Sequence, residues 1–195
     1  MSAPLSATRV LSQLKAFRVN VKTHGDWARH NRNHKGKWGP VHGVMIHHTV
    51  TKGTTSSLNI VTRGYPGLPG PLCHGMIDKD GTVHLVGWGR TNHAGLGDAS
   101  VLRAVIAERA LPRPRFQTTD GNARFYGFEC VNMGSGKDPW PEEQLDAIAR
   151  ASAAICKAHG WNERSVIGHL EWQTGKVDPR GFSMDSMRAR VKKYL

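Results

Sequence analysis

Two adjacent histidines, a third far downstream and an aspartate shortly after it are the residues of this chain best suited to hold a metal ion. His47 and His48 close the stretch Gly43-Val44-Met45-Ile46-His47-His48-Thr49, which reads as a short strand. Alternation puts Val44, Ile46 and His48 on one face and Met45, His47 and Thr49 on the other. A bare histidine pair is as a rule an ordinary polar strand terminus, but a strand end is also a stiff mount for a ligand or a base. The second stretch, Val166-Ile167-Gly168-His169 followed by Gly175-Lys176-Val177-Asp178-Pro179, adds an imidazole and a carboxylate. Hydrolytic zinc favours three protein ligands and one open position for water. His47, His169 and Asp178 supply such a set. The spacing from His169 to Asp178 is too long for one helical turn, so a loop must fold Asp178 back, and Gly175 and Pro179 make that turn plausible. Zinc held there would bring the pKa of its water to about 7.

Hydrolysis also requires a proton carrier and a partner for an oxyanion. Glu129 lies in a strand otherwise made of Phe, Tyr, Gly, Cys and Val, where a carboxylate is costly unless paired or functional. Desolvation would raise its pKa toward a range useful for proton transfer. Lys176, two residues before Asp178, could reach the same centre and stabilise negative charge. Each residue keeps a plainer reading: Glu129 as an edge-strand residue facing water, Lys176 as a surface lysine.

These residues must be positioned by one fold. At 195 residues the chain fits a single domain with a substantial core. The order of elements is helix, strand, helix, hairpin, helix, strand, helix, strand, helix, which predicts an α/β domain with a small central mixed β-sheet flanked by helices. The predicted helices are 6–19 with Ser6 as N-cap, 54–63 stopped by Gly64, 99–110, a long one opened by Trp140-Pro141-Glu142-Glu143 and closed by Gly160, and a last one capped by Ser183. Strands are expected at 43–49, 74–78, 82–88, 124–132 and 165–168, with Lys79-Asp80-Gly81 turning the hairpin. Residues 1–40 form an N-terminal helix and a basic loop extension, and 41–195 the core. The run Gly64-Tyr65-Pro66-Gly67-Leu68-Pro69-Gly70-Pro71 either shapes a substrate groove or is a surface connection.

Composition narrows the function. The net charge of +12, from 27 Lys+Arg against 15 Asp+Glu, implies affinity for a polyanion: nucleic acid, an anionic membrane or an anionic wall polymer. The densest basic runs are 29–37 and 188–193, and no zinc-finger or RNP-type aromatic motif accompanies them. No run approaches the roughly 18 apolar residues that span a bilayer. Cys73, Cys130 and Cys156 are odd in number and widely spaced, which reads as free, buried thiols. The N-terminus lacks a basic segment followed by an apolar one, so synthesis in the cytoplasm is expected.

Several separated motifs then resemble the zinc-dependent N-acetylmuramoyl-L-alanine amidases of the type 2 family, which share a fold with the peptidoglycan-recognition proteins. Val44-Met45-Ile46-His47-His48-Thr49 looks like the family's first strand. His74-Gly75-Met76-Ile77-Asp78-Lys79-Asp80-Gly81-Thr82-Val83 resembles its hairpin, and Asn92-His93-Ala94-Gly95 its substrate wall. Tyr126-Gly127-Phe128-Glu129 is similar to the strand with the catalytic glutamate, and Gly168-His169 with Lys176-Val177-Asp178-Pro179 to the segment with the remaining ligands and a catalytic lysine. The resemblance implies zinc on His47, His169 and Asp178, catalysis by Glu129 and Lys176, and a substrate contact from His93. His48 is placed in the core or in support of the site. It further implies a monomeric amidase acting on bacterial peptidoglycan, with anionic wall polymers as further partners, no specific nucleic acid and no membrane span. Small size, charge and the missing signal peptide suggest a phage endolysin, made in the host cytoplasm and acting at the wall after release. A wall-recycling amidase and a non-catalytic peptidoglycan-binding module are the competing readings.

Overall fold

Alternating and fully apolar stretches produce a six-stranded sheet whose carboxyl edge carries the predicted residues. The computed structural model describes residues 2–195. In chain order its elements are α1 (Ala7–Ala16), β1 (Val21–Thr23), β2 (Gly43–His48), α2 (Thr54–Arg63), β3 (Gly64–Tyr65), β4 (Leu68–Pro69), β5 (Gly75–Ile77) and β6 (Val83–Leu85). They continue with β7 (Leu96–Gly97), α3 (Ala99–Ile106), β8 (Thr119–Asp120), β9 (Phe125–Cys130), α4 (Glu142–His159), β10 (Val166–Gly168), α5 (His169–Trp172) and α6 (Met184–Lys192). The main sheet runs β1-β6-β5-β9-β2-β10, and β3-β4 and β7-β8 are two small ribbons. Strands β5, β9, β2 and β10 are mutually parallel, β6 is antiparallel to β5, and β1 is parallel to β6. This is the mixed sheet the sequence predicts.

Side-chain alternation gives the sheet two apolar faces. Val44, Ile46, Tyr126 and Phe128 point into the larger core, shared with Val10 and Leu14 of α1, Ile148 and Ile155 of α4 and Met187 of α6. Met45, Phe125 and Ile167 point the other way, against Val101 and Val105 of α3 and Trp172 of α5. Met76 and Val131 meet Val61 of α2 and Leu72 in a third cluster. The N-terminal segment from residue 2 to 40 is thus tied to the core: α1 packs on α4 and β1 extends the sheet edge.

Most boundaries match expectation, and the differences have local causes. Ser6 accepts from the Arg9 N–H at 3.2 Å, Ser183 from the Ser186 N–H at 3.1 Å, and Gly160 ends α4 in the left-handed region at φ 71°. Helix α3 stops at Ile106, a turn short of the predicted end, because Glu108 adopts φ 51° and turns its carboxylate onto the Asn162 N–H at 2.5 Å and side-chain amide at 3.0 Å. Strand β1, both ribbons and the one-turn α5 were not predicted. All three cysteines are free and buried, and among the described residues no helix is long and apolar enough to cross a membrane.

One buried histidine ties the hairpin to the central strand. The His74 ring is fully enclosed, donates from Nε2 to the Gly89 carbonyl at 2.8 Å and accepts the Gly127 N–H on Nδ1 at 2.9 Å. Burial pushes its pKa down to about 4 against two backbone hydrogen bonds that raise it. The unfolded chain, with an ordinary histidine near 6.5, therefore binds a proton in the window between those values while the folded chain does not. The stabilisation is fully present above about pH 6.5 and is lost as pH falls toward 4, by about 3 kcal/mol at this site. Urea midpoints measured across that window should fall more steeply for the wild type than for His74→Gln. Parallel slopes would contradict the assignment.

Candidate active site

Register alone brings three of the predicted residues together. In the parallel β2–β9 pair His47 stands opposite Glu129, and in the β10–β2 pair Gly168 stands opposite Ile46. His169, the next residue after Gly168, therefore lies beside His47 at the carboxyl edge, where parallel α/β sheets place their ligand crevices. Asp178 arrives by the predicted loop. The Leu170 N–H donates to the Asp178 carbonyl at 2.8 Å and the Lys176 N–H to that of Gln173 at 3.3 Å. Gly175, at φ 81°, supplies the left-handed residue that the reversal needs.

Three ligand-type atoms converge as a result. His47 Nδ1 lies 3.1 Å from His169 Nδ1 and 2.9 Å from Asp178 Oδ2, and His169 Nδ1 lies 3.1 Å from the same oxygen. These three residues are the one potential metal-holding group found among the described residues. Two imidazoles and a carboxylate suit zinc, and a tetrahedral zinc site with bonds of about 2.1 Å has edges of roughly 3.4 Å, slightly wider than this triangle. Burial pushes the His47 pKa down to about 4, so at neutral pH this imidazole is uncharged and one of its ring nitrogens carries a lone pair. Burial also pushes Asp178 upward, but hydrogen bonds to His169 and His47 outweigh it and hold the carboxyl far below the usual range. A carboxylate facing two imidazole nitrogens is the arrangement a divalent cation stabilises, and the donor set fits zinc.

Glu129 is half-buried, yet its Oε2 is enclosed without a hydrogen-bond partner. Its pKa is raised well above the ordinary glutamate value by burial first and by Asp178 second, against a lowering effect of Lys176. Lys176 is exposed and lines the same cleft, of about 510 Å³, as His47, Glu129, His169 and Asp178. The Gly- and Pro-rich run is a wall of that cleft: Tyr65 and Leu68, on β3 and β4, and the adjacent Leu72 line it.

The remaining predicted residues take separate places. His48 points to the opposite side of β2, where its Nδ1 accepts the Arg180 N–H at 3.1 Å and so pins the chain just beyond Asp178. Its ring fills the space a Gly134 side chain would need, since a Cβ there would meet His48 Nε2 at 2.1 Å. His93 is buried in the cleft floor, with its backbone N–H and that of Ala94 both held by Asn122 Oδ1 at 2.8 Å. Its ring lies over Gly127, where a Cβ would approach its Nδ1 to 2.4 Å. Gln173, absent from the predicted set, accepts from His169 Nε2 on its Oε1 at 3.1 Å. The signal was present: positions four apart on a helical turn share a face.

The model of the N-acetylmuramoyl-L-alanine amidase family matches residues 37–181. Comparison with curated protein sequences finds no match. Among solved structures, the N-acetylmuramoyl-L-alanine amidase LysC from Clostridium intestinale is similar at TM-score 0.57 and 15% identity, covering 88% of this chain and 97% of that one. Staphylococcus aureus hydrolase AmiA, in complex with its ligand, is similar at 0.59 and 13%, covering 100% and 93%. The E. coli amidase AmiD, in complex with anhydro-N-acetylmuramic acid-L-Ala-D-gamma-Glu-L-Lys, is similar at 0.53 and 17%, covering 80% and 59%. At these identities the structures establish a shared fold.

Proposed function

Because the chain belongs to the N-acetylmuramoyl-L-alanine amidase family, we propose that it hydrolyses the amide between the lactyl group of N-acetylmuramic acid and L-alanine in bacterial peptidoglycan, with zinc on His47, His169 and Asp178. The observation that carries this reading is the enclosed, unpartnered Glu129 carboxylate set by register beside His47. Zinc in such a set supplies Lewis acidity, polarising a carbonyl and making water acidic enough to lose a proton near neutral pH. Glu129 takes the proton that the attacking water sheds and returns it to the departing alanine nitrogen. The water oxygen ends in the lactyl carboxylate, and the peptide leaves with a free amine. A raised carboxyl pKa suits both transfers, since the same group must accept and then donate. The Lys176 ammonium opposes the charge developing on the carbonyl oxygen.

The distribution of charge supports a wall substrate. The two arginines of the sequence-dense basic run near the C-terminus are engaged: Arg188 pairs with Glu171 and Asp185, and Arg190 with Glu142. Arg103, Arg113 and Arg115 instead line an open pocket of about 550 Å³ with the exposed Phe116. The one carboxylate there, Asp98, is occupied by Ser100 and by the Arg115 and Phe116 N–H groups. Exposed charges of this kind are screened by salt. Retention on purified walls should fall as ionic strength rises, and Arg113→Gln with Arg115→Gln should weaken it roughly tenfold at low salt, at under about 1 kcal/mol per exposed charge. Retention that ignores both salt and these substitutions would contradict the electrostatic reading.

The activity is tested by digesting purified peptidoglycan. New N-terminal alanine amines without new sugar reducing ends are expected. Reducing ends would mean that a glycosidic bond is cut, and retention on the wall with no release would mean a binding module. We place the enzyme in lysis, made in the host cytoplasm and reaching the wall after release, with the +12 charge suited to an anionic polymer. Faster turnover of intact walls than of released muropeptides is the expected result, and the reverse preference would favour wall recycling.

A further inference from the structure

A β-branched side chain rarely adopts the left-handed backbone region, because its Cβ crowds the neighbouring carbonyl there. Val50, just beyond β2, sits in that region at φ 55°. Its side chain is 60% exposed, so core packing does not offset the strain. The chain is held in place from β9: the Thr49 and Val50 N–H groups donate to the Cys130 and Asn132 carbonyls at 3.0 Å each, and Thr49 Oγ1 accepts the Asn132 N–H at 3.3 Å. Strain that persists because its surroundings impose it clusters at sites of function. Val50 is also one of three exposed large apolar residues, with Tyr65 and Val177, that line the catalytic cleft. Apolar groups gathered at the mouth of a cleft point to a ligand that covers them.

The two sides of the cleft differ in character. Val50 is tied to the strand end three residues past Glu129, where Val131 packs with Val61 and Leu72, and Ile60, Leu68 and Leu72 line the cleft with it. Lys176 and Val177 belong instead to the loop between His169 and Asp178. In the proposed reaction Glu129 delivers a proton to the departing nitrogen, and Lys176 opposes charge on the carbonyl oxygen. The peptide half of the scissile amide therefore lies on the Val50 side, and its first residue carries a single methyl group. We infer that Val50 is a specificity-determining residue. Its isopropyl group closes an apolar recess, with Ile60, Leu68 and Leu72, that takes the side chain of the first stem residue and favours alanine over glycine. The inference rests on the proposed amidase reaction and adds to it the residue that reads the leaving group.

The test measures kcat/KM on two defined muropeptides that differ only in alanine or glycine at the first stem position. Wild type, Val50→Gly, Val50→Asn and Val50→Ile are compared. The wild type should favour alanine about tenfold, the low end of the range for one methyl group in an apolar pocket, and Val50→Gly and Val50→Asn should bring the two substrates within about twofold. Glycine and asparagine both accept the left-handed backbone, so neither variant should melt below the wild type. Isoleucine keeps both the strain and the apolar contact, and Val50→Ile should keep the preference. Equal turnover of the two substrates by the wild type would overturn the inference and leave the amidase reading intact. So would a full preference retained in folded Val50→Gly and Val50→Asn, or one lost in Val50→Ile as well. A folded, zinc-loaded wild type that cleaves neither muropeptide would overturn the amidase reading, and the inference with it.

Discussion

Glu129→Gln is expected to lower kcat about 10²–10⁴-fold, the range that a positioned acid–base group contributes, without unfolding the protein. Glutamine has the same shape but cannot take a proton from water and pass it on. Nothing structural depends on the charge, because Oε2 has no hydrogen-bond partner, and removing a buried charge beside Asp178 relieves a repulsion that already raises the Glu129 pKa. The melting temperature of the variant should therefore equal or exceed that of the wild type, and its zinc content should be unchanged. The wild-type rate should fall as pH drops through the raised Glu129 pKa, placing the acid limb above the usual glutamate value of about 4.3. Retained turnover in a folded, metal-loaded Glu129→Gln would remove Glu129 from the mechanism. A collapse of the fold would show that the carboxylate is structural.

The second large effect is expected at the metal set. Asp178→Ala deletes the oxygen that both His47 Nδ1 and His169 Nδ1 approach within 3.1 Å, leaving two imidazoles and no anion. Zinc affinity should fall by more than the about 10–100-fold typical of an outer-shell loss, and turnover should vanish with it. Chelation of the wild type should abolish activity reversibly. It should also lower the melting temperature, since a ligand at a thousandfold its Kd stabilises by about 4 kcal/mol, or roughly 8–16 °C for a chain of this size. Metal analysis with a thermal melt checks both. Full activity after exhaustive chelation would contradict the assignment of zinc to His47, His169 and Asp178.

Much of this was legible in the sequence because period-two and 3.6-residue patterns are physical constraints on burial. Gly43–Thr49 reads as a strand with His47 on the same face as Met45, and the structure buries it so. The parallel register that sets His47 beside Glu129 was not legible, since pairing depends on elements far apart in sequence. Strand β1 has three residues with a lysine in the middle, too short for alternation to show. Helix α5 is a single turn, shorter than its own period needs to be recognised, and with it Gln173 was missed. For His93 the resemblance implied a substrate contact, whereas the structure also gives its ring nitrogens to His47 and Phe125, a relation made only by the fold. The basic runs illustrate the converse: density in sequence marked 188–193, where folding pairs Arg188 and Arg190 with acids, while more open arginines lie at 103–115.

The central claim is that water, assisted by Glu129, opens the lactyl amide. Digestion of a defined muropeptide in heavy-oxygen water, followed by mass spectrometry of both fragments, tests it most directly. The account predicts one heavy oxygen in the lactyl carboxylate of the sugar fragment, an unlabelled stem peptide with a free alanine amine, and neither product in the Glu129→Gln or chelated reactions. Label in the sugar's anomeric position, or in a carboxyl group within the peptide, would contradict it.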